Sequence, residues 1–542
     1  MATTRSFSIA ALASLALSTT AFAQTQEASL EASDAQTQDY MGQAVAVSGD
    51  YAVLGAPKDD DRGVAAGAAY VFLRSGGVWS QVVKLRASDG AAGDEFGGAV
   101  GIDGDTLVVG AKLDDVSGLG PGAAGINKDW GSAYVFVRSG TTWVQQAKLL
   151  AADREPRDHF GSSVGISGNT VAIGAETSAG ISTSTGAAYV FTRTGTMWSQ
   201  QAKIRASNGV GLDYFGFSIA IDGDWVVVGA TNADAAGSSS GSAYVFERNG
   251  TNWTQRQELL PAGLSASDKL GWSVAIDGGR LVVGASNGDG AVAGSGAAYV
   301  YTQGPGTWAE EAKLQAADGV AGDKFGSSVG ISGDRAIAGA SWDSPAGSGY
   351  LFARAGTAWN QVAKVVDIGR GAGDQFGASG SLDGSTALFG APRTDVGAIV
   401  DAGRGVVFSF DEPFVKYCAS NPNSTGSPAS ISGSGSSSIA ANDLSLTAGP
   451  GPNEFGIFFF GATQIQVPFG EGFLCVGGAL FRFPITAAVG GEWSQDVDYT
   501  IAPAAGQITS GSTWNFQCWF RDPTGGPSGF NTSNGLEITF VP

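Results

Sequence analysis

The chain writes one eighteen-residue unit seven times, and the spacing inside that unit does not change. A representative copy is Asp94 to Ala111, DEFGGAVGIDGDTLVVGA. Its opening D-x-F-G recurs at Asp39, Asp94, Asp158, Asp213, Asp268, Asp323 and Asp374, with Met41 and Leu270 replacing Phe in two copies. A Gly-Ala begins sixteen residues after each of those aspartates, at Gly55, Gly110, Gly174, Gly229, Gly284, Gly339 and Gly390. A fixed interval between degenerate ends marks one supersecondary unit repeated along the chain.

Within the unit the pattern reads as a hairpin. Val100 and Ile102 alternate in a first strand, Asp103-Gly104 supplies a tight turn with positive φ at both central positions, and Leu107 to Ala111 forms a second strand. A third strand opens at Tyr70, Tyr134, Tyr189, Tyr244, Tyr299 and Tyr350. Nine residues after each tyrosine stands a tryptophan, Trp79, Trp143, Trp198, Trp253, Trp308 or Trp359, and the next D-x-F-G begins fifteen residues later. All length variation falls between Gly-Ala and Tyr, at 15, 24, 15, 15, 15 and 11 residues, which makes that segment a surface loop. Strands such as LVVGA and AYVF are too uniformly apolar to leave one face wet. Four-stranded sheets stacked face to face around an axis cover both faces, so the expected fold is all-β, a seven-bladed β-propeller.

The seventh copy lacks a tryptophan at the expected place, and with it a fourth strand. The missing strand is found at the other end of the chain. Residues Glu27 to Asp34 align with Gln146 to Asp153 at the same distance from their D-x-F-G. The N-terminal strand is therefore expected to complete the last blade, residues 27–33 pairing with Val406 to Phe410, which removes two exposed sheet edges.

Residues 1–23 carry one cation, Arg5, then an apolar stretch from Phe7 to Leu17 and a small-x-small site at Ala21-Phe22-Ala23. They read as a cleaved secretory signal, which places the mature protein outside the cytoplasm: secreted, periplasmic or on the cell surface. No later apolar run approaches the roughly eighteen residues of a membrane-spanning helix. The formal charge of −20 argues against nucleic acid or an anionic membrane as partner. Residues 24–412 form the repeat domain. Residues 413–542 open with a Ser/Gly-rich stretch from Ala419 to Ala441 and then return to short β-like runs, and are expected to form a smaller β-sandwich-like domain. All three cysteines lie there. Cys518 alternates onto one face with Trp514, Phe516 and Phe520, a buried apolar setting, so Cys418 and Cys475 are the better pair.

The D-x-F-G, the Gly-Ala that becomes Gly-Ala-Pro at Pro57 and Pro392, and the tyrosine strand resemble FG-GAP repeats, as in the propeller of integrin alpha chains. The resemblance spans roughly residues 24 to 410 and implies the propeller fold and an adhesion-like, non-catalytic function. Integrin-type repeats often hold calcium between the first two strands, in a D-x-D-x-D-G loop. Here that connection is Ser48-Gly49-Asp50 or Asp103-Gly104-Asp105, too short to wrap an ion.

The D-x-F-G aspartate is expected to accept backbone N–H bonds in the turn before a strand. Asp89 with Asp94, Asp153 with Asp158, and Asp318 with Asp323 stand five apart across Gly-rich or polar turns, too few carboxylates for a strong cation site. The single histidine, His159, fills the x slot, which elsewhere holds Tyr40, Glu95, Tyr214, Lys269, Lys324 and Gln375 and so reads as solvated. With no second histidine, neither a Ser-His-Asp triad nor a His-based metal site is available. Carboxylate-pair chemistry needs none, so a secreted carbohydrate-active enzyme stays open as an alternative, as does a structural envelope protein. The leading expectation is an exported, monomeric binding protein with a protein or glycan ligand. Loops after the second and fourth strands share one face, and most loop acids collect there: Asp59, Asp60, Asp61, Asp114, Asp115, Asp234, Asp289, Asp343 and Asp395. That rim is the expected ligand face, with Asp59, Asp61, Asp114 and Asp115 as candidate ligands for a weakly held calcium.

Overall fold

An Asp-Gly or Ser-Gly step ends the first strand of every unit, and two residues suffice to turn the chain back. The computed structural model describes residues 26–540 except 76, 116–128, 179–183, 370, 410–414, 435–438, 440, 441, 443 and 510; the expected secretory signal, residues 1–23, lies outside the described residues. In it Asp103 pairs with Thr106, so the turn residues are Gly104 and Asp105. Gly104 has φ +56°, while Asp105 is not left-handed. The turn therefore lies one residue later than Asp103-Gly104 and needs positive φ only at its first position, as a type II′ turn does.

This shift frees the Asp or Ser side chain at the strand end. In all seven units it accepts a hydrogen bond from the turn glycine of the following blade, at 2.6 to 3.2 Å. The seventh of these bonds, from the Gly49 amide to Asp383, closes the ring. The first strands of successive blades also pack side by side around the whole circle and line a channel whose turn-side mouth draws on every blade.

Seven four-stranded sheets make up the repeat region. Six are meanders in sequence order, such as Ala44–Ser48, Tyr51–Ala56, Ala68–Ser75 and Val78–Leu85. The remaining sheet takes Ser379–Asp383, Thr386–Ala391 and Arg404–Ser409 from one end of the repeat region and Gln26–Leu30 from the other. Ala28 faces Val407 and Leu30 faces Gly405. The clasp ladder is thus residues 26–30, shorter than the expected 27–33, and Phe410 lies outside the described residues. Beyond Leu30 side chains take over: Glu31 forms an ion pair with Arg404 at 3.2 Å, and the Ser33 amide donates to Gln81 at 2.9 Å.

Each letter of D-x-F-G has a separate physical cause. The aspartate accepts the amide three residues before it in all seven copies, at 2.6 to 2.8 Å. The x residue is left-handed in all seven, with φ from +53° to +62°. The phenylalanine is fully buried and in four blades meets the third-strand tyrosine, as Phe96 meets Tyr134 edge-on at 5.4 Å, and such burial contributes about 2 kcal/mol per ring. The glycine lets backbones touch: a Cβ on Gly97 would lie 2.2 Å from the Ala68 carbonyl oxygen. The Gly of Gly-Ala meets the same constraint from the next blade, since a Cβ on Gly110 would lie 2.1 Å from the Gly161 oxygen. The two ends of the motif recur together because they meet across each blade interface.

In the C-terminal region, strands Ser430–Ser434, Ser445–Gly449 and Trp493–Asp496 form one sheet. A larger sheet contains Phe455–Gly461, Phe481–Ala487, Thr513–Arg521 and Gly535–Thr539. Ile431, Leu446 and Trp493 from the first share a single core with Phe458, Phe516 and Phe520 from the second. Cys418 and Cys475 form a disulfide, and Cys518 is buried and unpaired in that core. Among the described residues no helix is long and apolar enough to cross a membrane.

Candidate functional site

A meander alternates its connections, so the loops after the second and fourth strands leave the same end of each blade. Parallel bridges tie them together, Gly67 to Phe96 and Gly131 to Phe160 among others, and Gly403 to Met41 repeats the contact across the ring closure. This loop-bearing face carries the nine aspartates singled out from the sequence.

The structure sorts those aspartates into three groups. Asp59, Asp114 and Asp343 are buried, Asp59 at 1% exposure. Tyr70 Oη donates to Asp59 Oδ2 at 2.9 Å, and Lys84 Nζ lies 2.6 Å from the same oxygen. Tyr134 and Lys148 hold Asp114 at 2.9 and 2.6 Å, and Tyr350 and Lys364 hold Asp343 at 3.1 and 2.6 Å. Each lysine also holds an acid of the preceding linker, Asp34, Asp89 or Asp318. Burial raises the Asp89 carboxyl, but the hydrogen bonds from Lys148 and Tyr134 outweigh it and leave it below the ordinary range. The second group caps loop amides: Asp60 accepts from Ala65, Asp115 from Asp129, Asp234 from Ser239, Asp289 from Gly294 and Asp395 from Asp401, at 2.7 to 3.0 Å. Asp61, alone in the third, pairs with Lys84 and Arg86. A calcium ion on Asp59, Asp61 or Asp114 would have to displace lysines already seated there. Among the described residues no group of three or more Asp, Glu, His or Cys is disposed to hold a metal.

The x slot of D-x-F-G is half-buried, a correction to its reading as solvated. It lies at the loop end of the innermost strands, where its side chain meets residues just beyond a Gly-Ala. Glu95 pairs with Lys58, His159 Nδ1 lies 3.8 Å from Glu176, Lys269 donates to Asn232 at 2.5 Å, Lys324 donates to Asn287, and Arg393 lies over Tyr40. The two lysines are the exception: both meet a neutral amide, and neither has a carboxylate within ion-pair distance among the described residues. Burial lowers the Lys269 ammonium; Asp234 opposes it, and the smaller effect of Lys324 adds to it.

Aromatic side chains stand on the same side of the ring. The residue after the F-G glycine is Gln43, Gly98, Ser162, Phe217, Trp272, Ser327 or Ala378. Phe217 and Trp272, from adjacent blades, approach to 5.0 Å at 50° between ring planes, and Trp272 is 38% exposed. Trp342, 65% exposed, donates its amide to the carbonyl of Asp323, the residue before Lys324. Sequence reasoning missed these residues because it weighed loop acids and treated x as filler. The available signal was departure from the repeat: lysine at x and aromatics after F-G occur only in neighbouring copies.

Seven four-stranded sheets in a closed ring, with the longer loops gathered at one end and short turns at the other, define a β-propeller. The FG-GAP repeat model matches residues 24–72, 79–136, 143–191, 198–246, 253–301 and 308–352, more than half of the chain, and the protein belongs to that family. Each matched segment starts with a fourth strand and ends with a third, so the family's unit is offset by one strand from the blade, as the N-terminal clasp requires. The crystal structure of the Saccharomyces cerevisiae Sqt1 is similar at 11% identity and a TM-score of 0.40, over 71% of this chain and 99% of that one. No curated protein matches.

Proposed function

We propose that this chain is an exported, non-catalytic binding protein whose propeller presents its ligand site at the loop end of the axis. The observation that carries the reading is the exposed Trp272 beside Phe217 and Lys269, on a position where other blades have small or polar side chains. An exposed aromatic that the fold does not require is a common anchor for a ligand. The expected acidic rim is a weaker candidate, because its carboxylates already have partners within the blades. Export rests on the N-terminal segment, and N-terminal sequencing of exported protein should begin at Gln24.

The test is a glycan array and an envelope-protein pull-down with the mature chain, repeated with Trp272→Ala and with chromogenic glycosides as substrates. Binding that Trp272→Ala abolishes, without turnover, is the expected result. Turnover lost on replacing a single Asp or Glu would overturn the non-catalytic reading, and binding indifferent to Trp272 would move the site.

A further inference from the structure

A repeat protein offers its own internal control. Positions required by the fold recur in every copy, so tolerant positions that depart from the pattern and cluster in space point to a job beyond folding. On this propeller such departures gather over the fourth, fifth and sixth blades. Lysine occupies x only at Lys269 and Lys324, asparagine stands two residues past Gly-Ala only at Asn232 and Asn287, and a ring follows F-G only at Phe217 and Trp272.

The charge of this cluster opposes that of the molecule. The chain carries 50 acids against 30 bases, yet Lys269 and Lys324 donate to the amide oxygens of Asn232 and Asn287, and among the described residues neither has a carboxylate within ion-pair distance, Asp234 acting on Lys269 only from farther off. An anionic ligand in direct contact with the two ammonium groups would supply at hydrogen-bond distance the attraction that Asp234 gives Lys269 only from farther off. Each lysine has three N–H donors and gives one to asparagine, so donors remain for an incoming anion.

We propose that Lys269, Lys324, Trp272 and Phe217 form a binding site for a single anionic sugar residue, carboxylated or sulfated. This rests on the axial ligand site proposed above and assigns its ligand class. The lysines take the acid group, and Trp272, steadied by Phe217 and backed by its turn with Lys269, offers a flat apolar face to the pyranose ring. Asn232 and Asn287 hold the lysines in place and have amide N–H groups to offer hydroxyls. The surrounding negative charge repels a densely charged polyanion, which favours one acidic residue on an otherwise neutral glycan.

The experiment is isothermal calorimetry and saturation-transfer NMR on the whole mature chain. Probes are methyl glucuronide, glucose 6-sulfate, the neutral methyl glucoside and an Asp-rich peptide. Both charged sugars should bind, and the neutral glycoside should bind about tenfold more weakly or worse. The double variant Lys269→Gln/Lys324→Gln should lose that preference while melting like the wild type. Trp272→Ala should weaken all three sugars together. Preference for one acid over the other distinguishes carboxylate from sulfate recognition, within the proposal. Equal binding of the neutral glycoside, a double variant that binds like the wild type, tighter binding of the Asp-rich peptide, or no binding of either charged sugar each overturns it. Sensitivity to Trp272→Ala with no charge preference would leave the axial site standing and remove only the anionic assignment.

Discussion

Asp383 accepts a hydrogen bond at 2.6 Å from the backbone amide of Gly49, 334 residues away in the chain. Six equivalent bonds join successive blades, and this one joins the last to the first. Together with the N-terminal strand on Arg404–Ser409 and the Met41–Gly403 bridge, it makes a ring of what would otherwise be a stack with two open ends.

Ring closure should therefore be measurable. Asp383→Ala removes one exposed hydrogen bond and is expected to cost about 1 kcal/mol or less in denaturant unfolding, much like Asp222→Ala at another interface. Deleting residues 24–34 does more, because it strips the fourth strand from the seventh blade and bares the edge Arg404–Ser409. A lowered and broadened melting transition is expected; an unchanged one would show that the ring does not depend on the clasp.

The buried loop acids should behave as structural groups. Asp59→Ala leaves Tyr70 Oη and Lys84 short of an acceptor at a site that is 1% exposed, an expected cost of about 2 kcal/mol. Asp395→Ala removes one loop cap and should cost under about 1 kcal/mol. Thermal unfolding of the two variants gives the order, and equal stability would refute it.

Burial, with smaller contributions from neighbouring acids, raises the carboxyls of Asp39 and Asp94 to about 6. Between the ordinary value of 3.8 and about 6 the folded chain holds a proton at each site that the unfolded chain has released. Stability contributed by these sites is present below that window and is lost as pH rises through it. Asp89, Asp153 and Asp318 are lowered and act in the opposite sense, losing stability as pH falls through their folded values. Asp94→Asn can still accept the Ala91 amide but does not titrate. Its melting temperature should gain on the wild type between pH 4 and about 6, and a constant difference would show that Asp94 is not raised.

The two glycines of the motif should fail for a steric reason. Gly110→Ala places a methyl group 2.1 Å from the Gly161 oxygen of the next blade and should cost about 3 kcal/mol or prevent folding. A methyl group on Gly104 would meet nothing within 4 Å, and this position differs only in its φ of +56°, so Gly104→Ala should cost about 1 kcal/mol. Soluble yield and melting of the pair provide the check.

The blade, its repetition and the clasp were legible in the chain before any coordinate. The intervals from Asp94 to Gly110 and from Tyr134 to Trp143 are set by local strand and turn geometry, and a period survives in one dimension. The role of the D-x-F-G aspartate was legible too, because its backbone partner is only three residues away. What the loop acids do was not. Asp59 and Asp60 are neighbours in the chain, yet one is buried beneath Tyr70 and Lys84 while the other caps the Ala65 amide. Their partners come from different strands, and no pattern within the loop distinguishes them. The axial cluster is the strongest case. Phe217 and Trp272 touch, and Lys269 feels Lys324, only because consecutive blades stack around one axis. That stacking brings equivalent positions of successive repeats side by side, a proximity that only ring closure and blade packing create.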